Sequence, residues 1–374
     1  MGGRWTRPIG AATMLPACMV VWLDRATNQP AGSSGIPYFD VLLSDANGFM
    51  SGDAAWLFGG WSPNPQILRF TAIPRRDPVI ALNFFCPSPT GGVQQCGSLS
   101  FPKPVYGRFP QWTPEVLPAT KRVGDVEVTL ERLSTGHNSA MSQRSLAGGG
   151  SVIEFGANGS GGRNNTICLL RLRSLTNTNQ VWQVAGEELS DATGNRVHNT
   201  AFSCGGPGDD YFRFEPGLWT NESAWKITCE IKRVKGFAAE EMITFRDVPL
   251  GGLGATNRVG WTSNFNGISI TLADISRRQP NTNSSWSSDS CSRVNFVVNG
   301  VGNGLQLDLF ATRADNGADL DCVSWSGSGS TRGYSFRSIP PDAKTADFTF
   351  TLQRSRWVEF TVRPEVGAAR LVKR

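Results

Sequence analysis

Histidine is the scarcest chemically versatile residue in this chain: two in 374, His137 and His198. That excludes a His-rich metal site and a zinc-protease H-E-x-x-H motif. A Ser-His-Asp or Cys-His nucleophile would have to use one of these two, and no G-x-S-x-G elbow accompanies either. Eight cysteines, at 18, 86, 96, 168, 204, 229, 291 and 322, contain no Cys-x-x-Cys spacing. Structural zinc is therefore not expected. No run approaches the roughly 18 consecutive apolar residues that span a bilayer, so no transmembrane segment is expected. Helical periodicity is nearly absent too, with "GFAAEEM" (236–242) the one stretch that reads as a turn or two of helix.

Charge of one sign is also lacking. The formal charge of +5 comes from 36 basic and 31 acidic residues, and the basic ones fall in scattered pairs such as Arg75-Arg76, Lys121-Arg122 and Arg277-Arg278. A nucleic-acid binder concentrates its positive charge on one face or interleaves it with stacking aromatics, so no nucleic-acid partner is expected.

What is present is turn and core material. With 42 Gly, 22 Pro, 21 Phe and 12 Trp, 39 % hydrophobic and 18 % charged residues, the chain has the makings of packed cores linked by many turns. Strict alternation recurs in "DVEVTLERL" (125–133), "TICLLRLRSL" (166–175), "AWKITCEIKR" (224–233), "GISITLADI" (267–275), "RVNFVVNG" (293–300), "LQLDLFATR" (305–313) and "ADFTFTLQRS" (346–355). Period two with β-branched and aromatic residues predicts strands with one buried face. The class is all-β.

The chain also resembles itself. "GDVEVTLERL" at 124 matches "NGISITLADI" at 266, "YFRFEP" at 211 matches "YSFRSIP" at 334, "WKITCEI" at 225 matches "FTFTLQR" at 348, and "EMITFRDVP" at 241 matches "RWVEFTVRP" at 356. The order is kept, and two length changes account for the drift. The earlier copy carries an extra segment "HNSAMSQRSLAGGG" and, later, "GFAAE". An internal duplication follows.

Between a first β region and the first copy lies "PVYGRFPQWTPEVLP" (104–118). Proline fixes φ and cannot join a central ladder, so this stretch reads as a semi-rigid strap between domains, its Tyr106, Phe109 and Trp112 packing back on a neighbouring domain, with a ligand platform as the alternative. The expected organisation is three tandem antiparallel β-sandwiches of immunoglobulin-like kind: 13–103, the Pro-rich linker 104–118, the repeats 119–250 and 256–366, and a tail 367–374.

Candidate sites are few. Cys86 and Cys96 flank a Pro-Gly turn and could face each other as a disulfide, as could Cys291 and Cys322; the alternative is small buried hydrophobes. Asp315, Asp319 and Asp321 in "DNGADLD" offer oxygen ligands for calcium, although Asp, Asn and Gly are equally the residues of a hairpin turn. "DATGN" (191–195) recurs after the equivalent strand of the earlier copy. Trp219, Trp261, Trp286 and Trp325 fall in or near expected loops, where flat rings stack on sugars. "GGGSVIEFGANGSGG" (148–162) lacks a Walker lysine and reads as a mobile surface loop.

The N-terminal "MGGRWTRPIGAATMLPAC" has some features of an export signal, but Pro and Gly interrupt its apolar run and "CMVVWLD" reads as a first strand. The expected function is a non-catalytic binding or structural module in an extracytoplasmic or cell-envelope setting, with carbohydrate or a surface protein as partner. The alternatives are a carbohydrate-active enzyme or its accessory binding region, and a cytoplasmic scaffold.

Overall fold

A computed structural model of the chain describes residues 19–23, 40–51, 54–58, 66–70, 72–87, 93–102, 108–137, 140–146, 150–156, 164–198, 209–214, 217–278, 291–302, 304–337, 339–367 and 370–373. Among them the only helical element is a 3-10 turn, Ala239–Glu241, inside the "GFAAEEM" stretch. No helix among the described residues is long and apolar enough to cross a membrane.

Everything else that is regular is strand. The first region supplies β1 Met19–Leu23, β2 Asp40–Ser44, β3 Met50–Ser51, β4 Ala54–Phe58, β5 Gln66–Phe70, β6 Val79–Pro87 and β7 Val93–Pro102. After the strap come β8 Ala119–Val123, β9 Val126–His137, β10 Ala140–Leu146, β11 Gly150–Gly156, β12 Asn165–Ser174, β13 Val181–Asp191, β14 Arg196–His198, β15 Asp209–Phe214, β16 Trp225–Lys235 and β17 Met242–Pro249. The last third holds β18 Thr256–Phe265, β19 Ile268–Ser276, β20 Ser292–Asn299, β21 Leu305–Ala314, β22 Cys322–Ser328, β23 Thr331–Phe336, β24 Thr345–Arg354, β25 Arg356–Val362, β26 Glu365–Val366 and β27 Arg370–Lys373.

The chain divides into two compact units rather than three consecutive ones. The smaller is built, among the described residues, from Thr176–Gln183 and Ile231–Arg356; the larger comprises Thr13–Leu175, Val184–Glu230 and Trp357–Arg374. Residues 250–256 therefore lie inside one unit.

In the smaller unit a three-stranded sheet, β17-β24-β21, accompanies a five-stranded one, β18-β19-β20-β23-β22. Their inward residues form one aromatic core: Phe296 of β20 meets Phe350 of β24 edge to face at 4.7 Å and Phe245 of β17 at 5.9 Å. Tyr334, Phe336 and Phe348 complete it. The alternation read from the sequence is the burial pattern here. Ala346, Phe348, Phe350 and Leu352 of β24 face inward, as do Ile268, Ile270 and Leu272 of β19. An Asn-Gly turn, Asn266 (φ 51°) and Gly267 (φ 81°), joins β18 to β19, both residues in the left-handed region that a tight hairpin turn demands.

The larger unit contains a sheet β15-β12-β9-β26 with β8 also on β9, the sheets β1-β5-β4, β3-β2-β6-β7 and β10-β11-β27, and most of the residues of β14-β13-β16-β25. Its buried residues alternate in the same way, Trp225, Ile227 and Cys229 along β16, and Val358, Phe360 and Val362 along β25.

The two halves of the self-similar sequence have the same strand succession. β9-β12-β15 corresponds to β19-β20-β23, and β13-β16 to β21-β24. Asp191 closes its own loop after β13 through the N–H groups of Thr193 and Asn195, whereas Asp315, after β21, accepts from Lys344 and Thr345 where β24 begins. The matching last strands, however, are exchanged. β17, from the earlier copy, pairs with β24 of the later one from Met242↔Thr351 to Pro249↔Thr345, whereas β25, from the later copy, pairs with β16 of the earlier one. Each compact unit thus borrows its final strand across the repeat boundary, which is why cutting the sequence between copies does not cut between units.

Three further expectations are corrected. Residues 148–162 are not simply a loop, because β11 lies within them, paired with β10 and with β27 from the C-terminal tail. β6 and β7 do pair as antiparallel neighbours, but their register, Val79↔Pro102 to Phe84↔Gly97, already sets position 86 opposite 95, and a bulge between Phe84 and Phe85 moves Cys86 on to Gln94. The Cys96 thiol donates to the Phe84 carbonyl at 3.4 Å, and Cys96, Cys291 and Cys322 are in no disulfide, so neither expected pairing is formed.

Tyr106 lies outside the described residues, and the described part of the strap is held within the larger unit. Glu115 N–H donates to Thr361 O at 2.7 Å, Thr361 N–H donates back to the Glu115 carboxylate at 2.9 Å, and Lys226 lies 5.2 Å from the Trp112 ring centroid.

Candidate functional site

A cleft of about 430 Å3 opens in the smaller unit, within the range of small-molecule sites. Trp182 near the start of β13, Arg233 near the end of β16, Leu352 to Arg354 at the end of β24, and Arg356 at the start of β25 form its wall. Leu305, Asn266 of the Asn-Gly turn and Glu241 of the 3-10 turn complete it. Both sequence copies therefore contribute.

The arginines are held on aromatic surface. The Arg356 guanidinium carbon is 4.3 Å from the centroid of the Trp182 ring, Arg233 is 5.8 Å from the same ring and 4.9 Å from Phe237. The ring quadrupole favours a cation over its face, and the planar guanidinium also stacks there. Arg233 is fixed twice more. Its N–H donates to Gln353 Oε1 at 2.8 Å and its carbonyl accepts from Gln353 Nε2 at 2.7 Å, so a side-chain amide stands in for a ladder pair. Its Nη2 donates to Glu241 Oε1, while Glu241 Oε2 accepts the Ala238 N–H at 2.8 Å.

Among the described residues three guanidiniums and one carboxylate line the cleft, and that carboxylate is bonded to Arg233. The described wall thus carries two positive charges in excess. Burial lowers the pKa of Arg356, the mark of a cation partly stripped of water. Trp182 is 3 % exposed and its indole N–H is buried, with no acceptor among the described residues. The arrangement suits an anion with some apolar body packed on Leu305 and Leu352. Among the described residues the lining offers no hydroxyl, thiol or imidazole.

The sequence-predicted residues lie elsewhere. Trp219 is fully buried in the larger unit and packs on Phe49 at 6.2 Å. Trp261, 43 % exposed on β18, and Trp325 on β22 occupy opposite edge strands of the five-stranded sheet. Trp286 lies outside the described residues. Asp315 accepts N–H groups of Lys344 and Thr345 at 3.1 to 3.3 Å, tying the turn to the start of β24, while Gly317 takes φ 85° and Asp319 bridges back to Arg313, both work of a tight turn. Asp321 follows on the exposed approach to β22. Among the described residues no three His, Cys, Asp or Glu side chains converge as a metal site.

Trp182, Arg233, Arg354 and Arg356 carry no motif, and the sequence alone gives no signal that brings them together.

A second polar cluster, in the larger unit, is structural in character. Arg76 pairs with Glu222 at 2.9 Å, donates to the Pro110 carbonyl, and lies over the Phe109 ring. Asn221 donates to Asp77, Asn195 donates to the Ile73 carbonyl, and Asp191 accepts from Thr193 and Asn195. Burial, then repulsion from Asp191, pushes Glu222 up to about 7 against the pull of Arg76, with Asp77 adding further repulsion.

No protein-family model matches the chain, and no curated protein matches it.

Proposed function

We propose that the protein is a non-catalytic binding module, built as a duplicated immunoglobulin-like β-sandwich, whose ligand site is the arginine-lined cleft of the smaller unit. The observation that carries this reading is the stacking of Arg356 and Arg233 on Trp182 beside a cavity of ligand size. Pre-positioned guanidiniums on a rigid sheet are what a recognition site needs, since their ordering cost is met in folding and not at binding. Chemistry on a bound substrate asks for an acid, base or nucleophile beside it, and the one lining carboxylate among the described residues is already bonded to Arg233. The repeated strand succession supports the duplicated sandwich.

Two earlier motives fall away. Trp219 sits in a core and offers no sugar platform, and free Cys96, Cys291 and Cys322 remove the disulfide argument for an exported protein. The module therefore stands on its cleft, in whichever compartment it works.

Thermal unfolding of the full chain against a panel of charged and neutral metabolites tests the reading, with Leu305→Trp as a variant whose indole fills the cleft. At least one compound is expected to raise the melting temperature of the wild type and not that of the variant. A panel that raises neither, or both equally, refutes the cleft as the site.

A further inference from the structure

In the sheet β3-β2-β6-β7 of the larger unit, Val41 to Ser44 of β2 and Ile80, Leu82, Asn83 and Phe85 of β6 are buried, whereas the edge strand β7 is exposed along most of its length. The ladder sets Leu99 opposite Leu82 and Phe101 opposite Ile80. Residues directly opposite share a face, so the apolar face that buries Leu82 runs on to Leu99 and ends there, 56 % exposed. The other face is polar, with Ser98 and Gln95 both donating to Asn83 Oδ1 at 3.0 Å. From Gly97 to Pro102 no strand lies on the outer side of β7 among the described residues.

A row of open backbone donors and acceptors invites another strand, and folds ordinarily blunt such an edge with charge or a bulge. Other edge strands of this chain are blunted. β8 carries Lys121 and Arg122, β15 carries Asp209, Asp210 and Arg213, and β18 and β17 combine Arg258 and the pair Arg246-Asp247 with bulges. β7 has no charged residue from Val93 to Pro102, and its own bulge lies at Cys96, which leaves Gly97 to Pro102 in regular register.

We propose that this edge is where two copies of the chain meet, β7 pairing antiparallel with the partner's β7 about a two-fold axis at Leu99. The register is self-complementary. Leu99 faces the partner's Leu99, Ser98 faces the partner's Ser100, and Gly97 faces the partner's Phe101. The leucine pair carries the row begun by Leu82 across the axis, the phenylalanine covers a glycine from the neighbouring strand, and the serine hydroxyls bond to each other on the polar face. With no charge on either strand, nothing repels. The contact is isologous and closes at two copies, forming one sheet with four strands from each. A second copy suits the edge better than an unrelated segment, because the same residues supply both halves of every pair. So short a ladder covers less surface than a permanent dimer needs, and the association is weak and reversible, with a Kd of about 10–100 µM.

Sedimentation equilibrium of the full chain between about 5 and 500 µM tests this, with a reductant present so that thiols such as Cys96 cannot link chains. The wild type is expected to pass from the mass of one chain to that of two. Leu99→Lys and Leu99→Glu, on a side chain already in solvent, should each raise Kd by about tenfold or more by setting like charges across the axis. Mixed in equal amounts they should restore the dimer, because each lysine then meets a glutamate; recovery on mixing also shows that both variants are folded. A wild type of one-chain mass throughout overturns the proposal and leaves the edge to an extended segment of another protein. A mass that climbs past two chains overturns it too, since a closed two-fold forbids it. Variants that dimerise as the wild type does place the contact elsewhere, and loss of the dimer in both without recovery on mixing removes the axis at Leu99; either result overturns the assignment.

Discussion

The guanidinium carbon of Arg356 rests 4.3 Å from the centroid of the Trp182 ring, although 174 positions of sequence separate the two residues. The contact joins β25 to β13, and the two partners contribute unequally to stability. Trp182 is nearly fully buried, so Trp182→Ala should cost about 3–5 kcal/mol through lost burial and the cavity left behind. Arg356→Gln removes a half-exposed cation from an aromatic face, worth about 0.5–1 kcal/mol. Urea unfolding of the two variants checks the contrast; equal costs would mean that Arg356 carries structural weight beyond its stacking.

Glu222 makes stability depend on pH in an unusual direction. Its folded pKa is raised to about 7 from an ordinary value near 4.5, so the folded state holds a proton that the unfolded state has released across that interval. Stability should therefore fall as pH rises from about 4.5 to about 7, with the loss complete above that range. Asp191 and Asp45, also raised chiefly by burial, act in the same sense. Glu222→Gln should flatten the profile and stabilise the protein at alkaline pH, as read by melting temperatures between about pH 5 and pH 8. A wild-type profile that rises over this interval would refute the assignment.

The all-β class and most strands were legible in the sequence because period-two alternation is a local signal: β9, β16, β19 and β24 bury the residues that the pattern marked. Partner choice was not, since β17 and β25 carry the same pattern and either could complete either sheet; which one does is decided by chain path and packing. The Cys86–Cys96 pairing failed on the register of the β6–β7 ladder, which faces position 86 with 95 before the bulge and with Gln94 after it, a detail that no composition rule encodes. The cleft was hidden because its arginines sit at strand ends among ordinary surface charges, and what makes them a site is Trp182, remote in sequence.

Strand exchange predicts how the chain responds to cutting. A fragment covering residues 119–250 would contain β16 but lack β25, leaving a long edge strand unpaired and Val358, Phe360 and Val362 absent from its core. Such a fragment should show no cooperative unfolding transition by circular dichroism. Adding a synthetic peptide of residues 355–366 should restore one, because it returns the missing strand. A fragment that unfolds cooperatively without the peptide would mean that β17 can replace β25 on β16.

Arg277 should prove the costliest arginine to replace in the smaller unit. It is 4 % exposed, and its guanidinium donates to the carbonyls of Gly251 at 3.2 Å, Ala343 at 2.9 Å and Pro340. These carbonyls belong to the segments after β17 and before β24, strands from different sequence copies, so one side chain fastens the loops around the exchanged strand. Arg277→Met keeps much of the stem but removes this donor from three carbonyls, of which Gly251 is exposed and Pro340 keeps the Ala343 N–H, so the buried Ala343 carbonyl is the one orphaned. An orphaned buried acceptor costs about 1–3 kcal/mol, so the total should exceed the loss from replacing the exposed Arg278. Arg277→Lys should fall between, because an ammonium supplies donors but not the planar spread that reaches three separated oxygens. Melting temperatures ordered wild type, Lys, Met would bear this out; a Lys variant as stable as the wild type would mean that charge alone, and not the fork, holds the loops.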